Sequence, residues 1–223
     1  MGSTTRHACG ILLAAGSSTR FGSNKLLHKL PDGTPIAAAA ARNLRSALPR
    51  TIAVVRPGAR RLAQLLREAG CAVVTSRNAA NGMGASLASG VRASSDADGW
   101  VVALADMPFI RPASIKAVAA RLAQGAAIAA PSLAGRRGHP VGLARRFRGD
   151  LLGLRGDQGA RALLERHSEQ IRLIESDDPG VLRDIDTPDD LRGIPPSAPR
   201  RAAKARSGQD VRRRKPTASR KRR

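Results

Sequence analysis

The passage from Gly10 to Leu27 constrains this chain most. It opens with Gly10-Ile11-Leu12-Leu13-Ala14, an apolar run of the length and continuity of a strand buried on both faces. The run breaks into Ala15-Gly16-Ser17-Ser18-Thr19 and then delivers Arg20, Gly22 and Lys25 from the same loop. A loop without bulky side chains lets backbone N–H groups approach an anion closely, and concave clusters of such groups bind phosphate. Arg20 adds a forked guanidinium and Lys25 a compact ammonium. Leu13, Ala14, Ala15, Gly16, Ser17, Arg20 and Lys25 are therefore the expected phosphate-binding residues, with a plain Gly/Ser turn as the alternative. The spacing fits neither the P-loop, since no Ser or Thr follows Lys25, nor the G-x-G-x-x-G of dinucleotide folds.

The pattern after this loop sets the fold class. Strands are expected at 8–13, 51–55, 72–75, 100–105, 126–130 and 171–174. Helices of about ten residues lie between the first four: one from Pro35 to Leu48, one from Gly58 to Glu68 closed by Gly70, and one from the Asn81-Gly82-Met83-Gly84 turn through Val91. A later helix is expected from Gly156 to His167, with Asp157 as N-cap, and a terminal helix with Pro188 in its first turn. Strands alternating with helices imply right-handed βαβ units: an α/β, three-layer, doubly wound, mostly parallel sheet of Rossmann-like type. Ligands of such sheets lie at the carboxyl ends of the strands.

Charge separates two regions. Residues 195–223 hold twelve Lys and Arg against one acid, Asp210, which is half of the formal net charge of +22 in about an eighth of the chain. That tail is poor in apolar residues, so it reads as a disordered extension beyond a domain spanning 1–194; its basic blocks suit a polyanion partner or simply solvation. The chain has no tyrosine, one tryptophan and three phenylalanines, which argues against a base-stacking platform for single-stranded nucleic acid. Two cysteines make neither a disulfide framework nor a zinc motif, and no apolar run approaches a membrane span, so a cytoplasmic location is expected.

Four further segments carry candidate chemistry. Asp106 falls at the carboxyl edge of the fourth strand, in Asp106-Met107-Pro108, with helix capping as its bland alternative. The turn from Pro131 to Gly142 is basic and glycine-rich, holds Arg136, Arg137 and His139, and suits an anionic ligand or an ordinary connection. Asn78 and Ser86 offer the donors and acceptors to read a base or ribose. Asp184 and Asp186, two residues apart, share a face on extended chain and compete between metal binding and capping.

The Ala14-Ala15-Gly16…Arg20…Gly22…Lys25 loop, the Leu104-Ala105-Asp106-Met107-Pro108 strand end and Asp184-Ile185-Asp186-Thr187-Pro188 together resemble the MobA-like nucleotidyltransferases, over about Gly10 to Gly193. Gly138-His139-Pro140-Val141 and Gly156-Asp157-Gln158-Gly159-Ala160-Arg161 narrow the resemblance to the molybdenum cofactor cytidylyltransferases. It implies transfer of CMP to the terminal phosphate of molybdenum-molybdopterin with loss of pyrophosphate. CTP is implied over GTP by Leu13-Ala14-Ala15-Gly16; a GTP-using or other-acceptor enzyme of the same fold is the alternative, and a nucleic-acid-binding module acting through the tail is another. The resemblance further implies Arg20, Lys25 and Asp106 as catalytic residues. It implies Mg²⁺ on Asp106 with Asp184 and Asp186, Asp184 ahead of its neighbour. Gly138, His139, Pro140, Asp157 and Arg161 are implied at molybdopterin, and a molybdenum hydroxylase apoenzyme as partner.

Overall fold

The computed structural model describes residues 8–16, 24–157 and 159–191. Ser17 and Arg20 of the phosphate loop, Gln158 and the basic tail lie outside the described residues. The strands are β1 (Ala8–Ala14), β2 (Thr51–Val55), β3 (Ala72–Thr75), β4 (Gly99–Leu104), β5 (Ile128–Leu133), β6 (Arg136–Arg137), β7 (Val141–Ala144) and β8 (Ile171–Glu175). They form one sheet in the order β3-β2-β1-β4-β7-β5, with β8 along the free side of β5 and β6 hairpinned onto its end. β1 pairs in parallel with β2 and β4, and β2 with β3; β7 runs antiparallel to both β4 and β5, Val102 facing Val141 and Ile128 facing Leu143, and the short β6 is antiparallel to β5. The expected mostly parallel, doubly wound sheet is therefore present.

Among the described residues six α-helices cover it: α1 (Ile36–Ala47), α2 (Arg60–Glu68), α3 (Met83–Ala93), α4 (Pro112–Ala123), α5 (Arg148–Gly153) and α6 (Arg161–Arg166). Alternate side chains of each strand feed opposite layers. Leu12, Val101 and Ala103 pack with Leu44 of α1, Leu62 of α2 and Val118 of α4. Ile11, Val54 and Val102 pack with Leu87 of α3, Leu151 of α5 and Leu163 of α6. Each fully buried Leu, Ile or Val contributes about 1.5–3 kcal/mol, so the two layers supply the main stabilising term. Trp100 is wholly buried and its indole N–H donates to Ser94 Oγ at 2.9 Å.

Several boundaries depart from the sequence reading. Pro35 is the N-cap of α1 rather than its first helical residue. Helix α6 begins at Arg161 with Ala160 as N-cap, so Asp157 does not cap it. Pro188–Leu191 forms a short 3-10 turn rather than an α-helix. Helix α4 and strand β7 carry no expectation above: α4 is rich in alanine, and β7 (Val-Gly-Leu-Ala) is too short and too small in side chains to announce itself.

Candidate active site

The carboxyl ends of β1 and β4, where the strand order reverses, open into a cleft of ≈ 800 Å³. Its wall comprises Leu13, Ala15 and Gly16 from the end of β1 and Leu104 and Asp106 from the end of β4. The start of α3 adds Gly82, Met83 and Ser86. Lys25 enters from a 3-10 turn, Lys25–Leu27, that is locked at both ends. Asn24 Oδ1 accepts the Leu26 N–H at 3.2 Å, and Leu26 is buried in the core.

Lys25 Nζ lies 2.9 Å from Asp106 Oδ2 and 2.8 Å from Asp186 Oδ1, so one ammonium holds two carboxylates that would otherwise repel. Burial pulls the Lys25 pKa down, but hydrogen bonds to Asp186 and Asp106 outweigh it, and the net shift is upward. Lys25 therefore remains charged at neutral pH. Two of its three N–H donors serve the carboxylates, which leaves one for an anion in the cleft.

Backbone contacts fix both acids. The Ile185 N–H donates to the Asp106 carbonyl at 2.9 Å, and Ile185 is fully buried. That anchor puts Asp184 and Asp186 on the opposite face of the segment, as expected for extended chain. Only Asp186 reaches Lys25; Asp184 is exposed and makes no contact with the pair. The partner of Lys25 is thus Asp186 and not Asp184, because the chain turns toward Lys25 only after Ile185. The turn is held by Asp190, whose Oδ2 accepts the N–H groups of Asp186 (2.9 Å) and Thr187 (2.7 Å) and the Thr187 hydroxyl (3.0 Å). Asp190 thus holds this turn, and Asp106 does not cap α4, which starts at Pro112 with Arg111 as N-cap.

The donor chemistry suits a hard divalent cation. Two carboxylates already converge within 3 Å of a common positive charge, and magnesium takes one or two protein carboxylates and completes its shell with waters and phosphate oxygens. Among the described residues no group of three or more His, Cys, Asp or Glu could hold a metal. A cation here would accordingly depend on a bound polyphosphate for the rest of its ligands.

The Gly138-His139-Pro140 turn sits at the same edge of the sheet, because β5 runs parallel to β4 and β7 returns antiparallel between them. The His139 N–H donates to the Val181 carbonyl at 2.8 Å, and a Cβ at Gly138 would collide with that carbonyl. The turn that Val181 belongs to is anchored by Asp178, a buried carboxylate accepting from Arg111 N–H (2.7 Å), Ser114 hydroxyl (2.7 Å) and Gly180 N–H (3.0 Å). His139 Nδ1 is shielded from solvent without a hydrogen-bond partner among the described residues. Burial pushes the His139 pKa below 6.5, against a weaker upward pull from the Asp106 carboxylate. His139 is therefore a neutral imidazole at neutral pH.

Other expected residues divide. Ser86 lines the cleft, but its hydroxyl is turned to the Gly82 carbonyl at 3.4 Å. Asn78 is exposed and does not line the cleft. Asp157 lines the cleft wall with Leu13 and Ser86, apart from Gly138-His139-Pro140. Arg161 pairs with Glu165 on the surface at 2.8 Å, and Arg136 and Arg137 are exposed on β6. Sequence reasoning missed Arg56 and Arg77, which follow β2 and β3 and line the cleft. Their position one or two residues past predicted strands was the available signal.

The chain is similar to known proteins. The family model described as the MobA-like NTP transferase domain matches residues 10–171. The purine catabolism protein PucB of Bacillus subtilis is 33% identical over 194 residues, 81% of this chain and 92% of that protein. The structure of the Rv0371c homologue of Mycobacterium sp. strain JC1 superposes with a TM-score of 0.72 at 32% identity, covering 82% and 92% of the two chains. Rv0371c of Mycobacterium tuberculosis in complex with manganese gives a TM-score of 0.66 at 28% identity over 83% and 96%. The family match takes in the phosphate loop, Lys25 and Asp106 alike, and the chain belongs to the MobA-like NTP transferase domain family of nucleotidyltransferases.

Proposed function

We propose that this nucleotidyltransferase moves CMP from CTP to the terminal phosphate of molybdenum-molybdopterin, making the cytosine dinucleotide form of the cofactor. The observation that carries the reading is the Lys25–Asp106–Asp186 constellation at the mouth of a cleft large enough for a nucleotide, with the Gly138-His139-Pro140 turn along the same sheet edge. The Leu13-Ala14-Ala15-Gly16 sequence supports CTP as donor, and the Gly138-to-Val141 segment supports molybdopterin as acceptor.

A phosphate monoester has its second pKa near about 6, so the attacking oxygen is already an anion at neutral pH and needs no general base. That oxygen attacks the α-phosphorus of CTP and forms a new P–O–P link. The bond from the α-phosphorus to the bridging oxygen breaks, and pyrophosphate leaves with the electron pair. The protein's task is to hold two anions in line and to balance charge as it moves. Lys25 turns its remaining N–H to a phosphate oxygen, while Gly16 lets the backbone come close to the triphosphate. Arg56 and Arg77 raise the positive potential of the cleft. Asp106 and Asp186 would hold magnesium, which supplies charge neutralisation on the phosphates. The neutral His139 adds no positive charge beside Asp106 and is free to hydrogen-bond the acceptor.

The relative named as a purine catabolism protein accords with an acceptor enzyme that oxidises purines, a molybdenum hydroxylase apoenzyme. The test is turnover: the full chain, Mg²⁺, molybdenum-molybdopterin and either CTP or GTP. Pyrophosphate release and a cytidylylated product with CTP are expected. Conversion with GTP and none with CTP overturns the cytidylyl assignment.

A further inference from the structure

The cleft that contains Lys25 and Asp106 also takes in the first turn of α3, and its wall includes two side chains with no part in phosphate chemistry, Met83 and Asp157, besides the guanidinium of Arg77. Met83 is one of two large apolar side chains left exposed among the described residues, at 42%. Its thioether is backed by Gly159, where a Cβ would come to 3.0 Å of the sulfur. It therefore offers a supported apolar surface of the kind a flat heteroaromatic ring covers.

Asp157 is brought to this spot by backbone, not by side-chain pairing. The Gly156 N–H donates to the Asn81 carbonyl and the Gly84 N–H to the Gly156 carbonyl, each at 2.9 Å, so the two segments clasp reciprocally. Gly82 has φ +94°, and a Cβ there would collide with Gly156 and with the Asp157 carboxylate. The carboxylate is thus pressed against the base of α3 and opens into the cleft. Among the described residues it has neither an ion pair nor a hydrogen bond. An unengaged acceptor and an apolar floor, in a cleft that Arg77 also lines, form a set complementary to a nucleobase edge.

We infer that Asp157 reads the base of the nucleotide, its carboxylate accepting a hydrogen bond from the exocyclic amino group of cytosine while the ring lies on Met83. Arg77 presents donors for the ring nitrogen and carbonyl acceptors. Carboxylates accept from the cytosine amino group, whereas uracil places a carbonyl at that position and meets the carboxylate with lone pairs. Asp157 is in this way a specificity-determining residue for the donor nucleotide, and this inference rests on the cytidylyl reading above.

Direct titration of the full chain with CTP and UTP, with Mg²⁺ and without acceptor, tests it in wild type, Asp157→Asn and Asp157→Ala. Wild type is expected to prefer CTP. Asp157→Asn, isosteric but able to donate, should lower the CTP:UTP preference by about 10- to 100-fold, partly through tighter UTP binding. Asp157→Ala should lose CTP affinity without gaining UTP. Thermal melts separate this from a structural role, which would lower both affinities together with Tm. An unchanged CTP:UTP ratio in Asp157→Asn overturns the inference while leaving cytidylyl transfer intact. Wild type that binds neither pyrimidine triphosphate overturns both.

Discussion

The half of the sheet made by β1 to β4 and the half made by β5 to β8 are built on different rules. In the first, β1 and β2 are almost wholly buried, parallel, and read in the sequence as unbroken apolar runs. In the second, β7 runs against its neighbours, β6 is two exposed arginines, and β8 is an edge with Leu173 half exposed. Parallel strands covered on both faces form a rigid ledge under the cleft. The antiparallel insertion of β7 does something else: it brings a turn, Gly138 to Pro140, to the edge where Asp106 emerges. The charged pair that joins the halves links residues from far ends of the chain, Lys25 and Asp186, 161 positions apart. The Lys25 side of the cleft and the Gly138 turn are thus stabilised by separate contacts, and their energetics are separable by mutation.

The largest effect is expected at the junction. Asp106→Asn should lower kcat for nucleotidyl transfer by about 10²–10³-fold with little change in Tm, since it removes charge aimed at the transition state rather than packing. Asp186→Asn should cost about 10-fold or more under the same assay, whereas Asp184→Asn should stay within about 2-fold; equal losses would return Asp184 to the site. Gly138→Ala should act on the second half alone: the new methyl group meets the Val181 carbonyl. It should destabilise by about 1–3 kcal/mol in chemical denaturation while CTP binding to the first half persists. The smallest effect is a pH slope. His139 is pushed below 6.5 by burial, so the unfolded chain binds the proton more readily than the folded one just below that pH. Stability contributed by the neutral imidazole is present above pH 6.5 and declines as pH falls from there toward the depressed folded value. His139→Asn should flatten this acid-side fall in Tm.

Cys71 illustrates what was readable locally. Its position at the head of an apolar strand predicts an inert core thiol, and burial raises its pKa to about 11 despite the opposing pull of Arg45. Lys25 and Asp106 were legible for a similar reason: each stands at a fixed offset from a strand whose pattern is unambiguous. The place of Asp157 was not: the sequence puts it at the start of a helix and among the residues implied at molybdopterin, but clasping by Asn81 and Gly84 pulls the segment onto α3 and leaves the carboxylate in the cleft. Asp190 was passed over because acids beside a turn look alike until one of them is seen accepting three hydrogen bonds.

From its residues alone the chain determined a mostly parallel α/β sheet, a small-residue loop after the first strand, and a carboxylate at the fourth strand's end. These follow from apolar periodicity and from glycine's freedom, which act over a few residues. Tertiary structure decided which of two neighbouring acids meets Lys25, where β7 inserts, and which wall of the cleft Asp157 joins. Those choices depend on contacts between segments tens to more than a hundred residues apart, for which no local pattern carries a signal.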